Sequence, residues 1–76
     1  MGFLVDGTHD EMINDTDWKD MESCPSFTDV YLKCSLMMDR FVCIGQLDMI
    51  NGYRVKSDAD PDAFFRCKIC GWKPLQ

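Results

Sequence analysis

The sequence predicts an α+β fold: one main amphipathic helix packed on a small antiparallel sheet of about three strands. Three observations lead there. Set about 100° apart in succession, most of the apolar residues between positions 27 and 44 gather on one side of a helix. An Asn51-Gly52 pair divides two strand-forming runs. A third such run, Phe64 to Ile69, lies between an acidic loop and Gly71.

With 76 residues the chain is one domain, because so short a polypeptide buries only about 60% of its unfolded surface. Its net charge of −5 is unevenly spread. Residues 1 to 29 carry Asp6, Asp10, Glu11, Asp15, Asp17, Asp20, Glu22 and Asp29 against Lys19 alone, whereas the bases outnumber the acids from residue 30 onward. Nearly all the acids are Asp, which prefers caps and turns, so residues 1–25 read as an acidic, loop-rich segment and residues 26–76 as the core. Within the first segment, Thr8-x-x-Glu11 is a capping-box pattern ahead of one short helix, which Cys24-Pro25 ends. Met1 to Asp6 has no basic flank and reaches a charge after three apolar residues, so neither a signal peptide nor a membrane span is expected there, and Asp6 stands where myristoylation requires Ser or Thr. With five cysteines, an odd number, these features point to an intracellular protein with reduced thiols or metal thiolates.

The main helix is expected over 26–44. Ile44, Met37, Val30, Phe41, Cys34, Phe27, Met38, Tyr31 and Val42 fill one sector of about 160°, Ser26-x-x-Asp29 supplies an N-cap and Gly45 a stop. The competing reading is a hairpin, since Val30, Leu32, Cys34, Leu36 and Met38 also alternate with Tyr31, Lys33 and Ser35. A turn at Met38-Asp39 would set Cys34 opposite Cys43, although Met-Asp is poor chemistry for a tight turn. Gln46 to Ile50 and Tyr53 to Lys56 then form a hairpin about Asn51-Gly52, Ser57 to Asp62 an acidic loop, and Phe64 to Ile69 the third strand.

Cys67-Lys68-Ile69-Cys70-Gly71 resembles a zinc knuckle, half of a zinc ribbon, in which two thiolates reach one tetrahedral ion and glycine lets the backbone turn beneath them. The resemblance covers five residues and implies a structural zinc at a zinc-knuckle-like C-terminal end. The remaining ligands depend on the fold. In a helix Cys34 and Cys43 lie about 180° apart and cannot share an ion, whereas in the hairpin Cys34, Cys43, Cys67 and Cys70 form a four-thiolate set. Without metal, the same cysteines serve as small core hydrophobes. A redox Cys-x-x-Cys is disfavoured, because that chemistry belongs at the start of a helix in a βα architecture.

Other signals are weaker. His9, the single histidine, reads as a solvated side chain beside Asp10 and Glu11. Asp58-x-Asp60-x-Asp62 opens like a calcium loop but has Ala63 and Ile69 where Gly and Glu are required. Arg66, Lys68, Lys73 and Trp72 could contact a phosphate backbone and stack a base, or the bases could pair with the acidic N-terminal segment. Opposite the main helical face, Leu32, Leu36 and Cys43 form a narrow stripe flanked by Asp29 and Asp39, either a second core face or a docking stripe.

No glycine-rich phosphate loop or nucleophile with a matching base is present, so the chain is expected not to be an enzyme. The leading expectation is a small protein-binding module, an inhibitor or adaptor of the kind viruses and mobile elements direct against host enzymes. Its candidate partner-binding residues are Leu32, Leu36, Asp29, Asp39 and Trp72, and a homodimer is compatible with it. Two alternatives stand beside it: an acidic nucleic-acid mimic, and a zinc-dependent nucleic-acid-binding protein using the basic C-terminal end.

Overall fold

The computed structural model describes residues 9–75. Its framework is a four-stranded antiparallel sheet, β1 (Val30–Leu36), β2 (Asp39–Asp48), β3 (Tyr53–Ser57) and β4 (Lys68–Pro74), in the order β3-β2-β1-β4. One short helix, α1 (Pro61–Arg66), joins β3 to β4, and two 3-10 turns, Asp10–Asn14 and Met21–Ser23, precede the sheet. The capping residue Thr8 and the Met1 to Asp6 segment lie outside the described residues. No helix among the described residues is long and apolar enough to cross a membrane.

The expected helix over 26–44 is replaced by β1 and β2. In β1 burial alternates, with Val30, Leu32 and Cys34 enclosed and Tyr31, Lys33 and Ser35 half-buried between them. In β2, Phe41, Val42 and Cys43 are consecutive and all buried, because both faces of the sheet are covered there. Burial on two sides makes an unbroken apolar run, and such a run fills a helical sector as readily as it fills a strand. The turn is Met37-Met38, one position earlier than the hairpin reading places it. Met37 has φ 56, a left-handed conformation ordinarily left to Gly or Asn. In the resulting register Cys34 faces Phe41 and Cys43 faces Leu32, so the two cysteines are diagonal neighbours.

The third expected strand also shifts. Phe64 to Arg66 belong to α1, where Pro61 occupies the first turn and the Asp60 side chain accepts from the Asp62 amide. Strand β4 begins only at Lys68. The hairpin about Asn51-Gly52 does form, with four residues between the paired Asp48 and Tyr53 and Gly52 at φ 80.

One face of the sheet carries the main core: Val30, Leu32, Cys34, Phe41, Cys43, Leu47 and Trp72 pack with Phe64, Ala63 and Cys67 of the α1 region and with Cys24. Gly45 is required on this face, since a Cβ there would lie 2.7 Å from the Lys56 carbonyl oxygen. On the other face the 3-10 turn Asp10–Asn14 packs against β2, so that Val42 is fully enclosed and Ile44 half-buried.

Candidate functional site

The four candidate ligand cysteines divide three to one. Cys34 and Cys43 bring their sulfurs to 3.8 Å across the first hairpin, and Cys67, at the C-terminal end of α1, reaches the same Cys34 thiol. Cys70, the residue skipped in the register shift that pairs Cys34 with Ile69 and Lys33 with Gly71, is exposed. The sheet therefore unites Cys34, Cys43 and Cys67 but not Cys70. Among the described residues, no group of three or more His, Cys, Asp or Glu side chains is arranged to hold a metal ion.

Within the trio the protons are unevenly held. Hydrogen bonds to Cys43 and Cys67, together with burial, push the Cys34 thiol up, so it keeps its proton. Cys67 is pulled down to about 7, first by the hydrogen bond from Cys34 and further by the Arg54 guanidinium, whose Nη1 is 3.8 Å from its sulfur. Cys67 is nevertheless almost wholly enclosed, and Cys34 and Cys43 have no exposure, so the trio has the burial of a core rather than of a reactive thiol site.

The residues singled out as a docking stripe lie mostly inward. Leu32 has no solvent exposure, between Cys43 on β2 and Trp72 on β4. Leu36 is half-buried against the same core. Trp72 is buried, and its indole N–H donates to the Asp20 carbonyl and the Ser23 hydroxyl. Asp29 accepts from the Gln46 side chain, and Asp39 is exposed beside the Met37-Met38 turn. The stripe is real as a pattern; it is the core face of β1 and β2.

The polar motifs are equally committed. His9 is not solvated as expected: its Nε2 is 3.1 Å from an Asp58 oxygen and its ring packs edge-on against Tyr31. Asp58 also accepts from the Ile44 amide, so the acidic loop ties β3 back to β2. The pairing of the basic end with the acidic segment does occur. Lys73 Nζ lies 2.7 Å from Asp15 and 3.0 Å from Asp17, and 5.3 Å from the center of the Trp18 ring.

The open surface gathers instead at the β2–β3 turn. A groove of about 330 Å³ is lined by Met21, Leu47, Met49, Tyr53, Arg54 and Ile69, with Lys68, Asp48 and Gly52 completing its wall. Its shape originates in Asp48, whose carboxylate accepts from the Ile50 and Asn51 amides and the Asn51 side chain, and which those bonds hold below the usual carboxylate value. Next to the turn, the Phe27 amide donates to the Leu47 carbonyl and the Met49 amide to the Ser26 hydroxyl. Three large apolar side chains at this end face water: Ile50 (85% exposed), Tyr53 (61%) and Phe27 (57%), the last held at φ 56. Asp48-x-x-Asn51-Gly52 is the sequence signal for this turn. Met21, Arg54 and Ile69 come from three separate segments, and no local pattern unites them. Compared with known proteins, the chain finds no significant match to a family model, a curated protein or a solved structure.

Proposed function

We propose that this chain is a small protein-binding module, acting as an inhibitor or adaptor, that receives its partner at the β2–β3 end of the sheet. The observation that carries this reading is the groove, whose wall includes exposed Tyr53, with exposed Ile50 in the adjoining turn and exposed Phe27 hydrogen-bonded through its amide to the lining residue Leu47. Apolar side chains gathered around a concavity and rimmed by charge are characteristic of interaction surfaces. Met21 and Met49 in its lining add an adaptable floor, since methionine repacks around differently shaped anchors.

Nucleic-acid readings find less support. Direct contact through the basic end would need a free aromatic face and several free cations, but Trp72 is buried, Lys73 is engaged by Asp15 and Asp17, and Arg66 pairs with Asp62, which leaves Lys68 alone of the four. Mimicry of phosphates would need uncompensated carboxylates, and Lys73 lies between Asp15 and Asp17 and offsets one of their two charges.

Panning a random peptide display library on the immobilised protein tests the reading. Enriched peptides should lose at least about tenfold in affinity to a Met49→Asp, Ile50→Asp variant whose thermal melt is unchanged. Failure to enrich any sequence, or equal binding to the variant, would remove the groove as the docking site.

A further inference from the structure

We propose that the groove takes an acidic-apolar peptide segment of a partner protein, one large apolar side chain in the groove and its neighbouring carboxylate between Arg54 and Lys68. This rests on the protein-binding reading above and names its partner chemistry.

Charge in the lining selects the carboxylate. Arg54 and Lys68 both line the groove, and among the described residues neither forms an ion pair. Asp48 lines the same groove as a carboxylate but, held by Ile50 and Asn51 within the turn, forms no ion pair with either cation among the described residues, so the lining keeps a net positive charge. Arg54 is also fixed in place. Its Nη1 donates to the Phe64 carbonyl, and its guanidinium carbon stands 5.7 Å from the center of the Phe64 ring. Among the described residues its remaining guanidinium N–H groups have no protein acceptor, so a forked donor set stays open on a side chain already ordered. A carboxylate meeting it would order little that is not ordered already, which favours affinity.

Shape selects a segment led by one side chain. About 330 Å³ is near the lower limit for ligand pockets, roughly 300–1,000 Å³, enough for one large apolar anchor but not for the face of a helix. Addition of a long strand to the sheet edge is opposed by the register shift that leaves Val55 as an extra residue in the five-residue β3. The other edge, β4, is already capped at Trp72 by reciprocal hydrogen bonds with Lys19.

The test uses two fluorescein-labelled nonapeptide pools, alternating Leu or Phe with Glu in one and with Gln in the other, titrated by fluorescence polarisation against the full chain. The Glu pool should bind about tenfold or more tightly than the Gln pool, the strength of a charge-assisted hydrogen bond pair. Lys68→Glu should remove that preference. Lys56→Glu, the same charge change outside this groove, should keep it. Because Lys68 is exposed, the variant folds, and an unchanged melt is read alongside. Equal binding of the two pools would overturn the acidic anchor and leave the protein-binding reading standing. No binding of either pool, together with an empty display selection, would overturn both. Retention of the preference in Lys68→Glu, or binding of dodecanoate or of a second copy of the chain in place of the peptides, would overturn the inference as well.

Discussion

The sheet contains two hairpins that reverse the chain by opposite means. At β2–β3 the turn is built from its own chemistry: Asp48 gathers two amides and the Asn51 side chain, and Gly52 takes the left-handed position at φ 80 without strain. At β1–β2 the turn has no such support. Met37 is held at φ 56 and is 86% exposed, and Met38 is 96% exposed. What fixes that second reversal is burial along its strands, where a register slip of one residue would expel Leu32, Cys34, Phe41 and Cys43 from the core. One hairpin is specified locally and the other by the core, and substitutions in each should respond accordingly.

The largest expected effect is on the core-specified hairpin. Leu32→Asp should abolish folding, because it places a carboxylate with no partner at a position of no exposure. The milder Leu32→Ala should cost about 2–5 kcal/mol, read as a lowered urea midpoint. A folded Leu32→Asp protein that had merely lost partner binding would return Leu32 to the surface and break the comparison.

This contrast also explains what could be read in the sequence. The Asn51-Gly52 hairpin was legible because its determinants are contiguous, and the pairing of Lys73 with the acidic segment because charge balance is visible in a one-dimensional chain. The β1–β2 hairpin was not, since Met37-Met38 carries no turn signal and Val42 is buried on the face opposite Phe41 and Cys43. Covering both faces erased the alternation that distinguishes a strand from a helix. Leu32, Leu36 and Cys43 were legible as a stripe, but which way a stripe faces depends on α1 and β4, which lie further along the chain beyond β3. The groove was legible only at its Asp48 to Gly52 wall, because Met21, Arg54 and Ile69 meet through tertiary packing alone.

An intermediate effect is expected at the locally specified turn. Asp48→Ala should lower the urea midpoint and deform the groove, since two amides and the Asn51 side chain lose their acceptor. The same carboxylate imposes a pH dependence. The Asn51 side chain, then the Asn51 and Ile50 amides, hold it below its ordinary 3.8 in the folded state. Its contribution is therefore complete above the unfolded value of about 4 and is lost as pH falls through the lower folded value. Asp48→Ala should remove that component of acid destabilisation below about pH 4, measured as the difference in midpoint between the two proteins. Parallel acid curves would mean that the carboxylate is not what closes the turn.

The smallest effect separates the hairpins by sign. Met37→Gly should stabilise the protein by roughly 0.5 kcal/mol, because relief of a left-handed side-chain conformation outweighs the added freedom of glycine in the unfolded chain. Gly52→Ala should destabilise it by about 1 kcal/mol. Nothing lies within 4 Å of the added Cβ, so that loss comes from backbone conformation alone. Chemical denaturation of the two variants beside the parent reads both changes. If both lost stability equally, Met37 would make contacts that offset its φ, and the first turn would be as locally specified as the second. Opposite signs would leave an exposed methionine pair on a reversal that the core, not the turn, maintains.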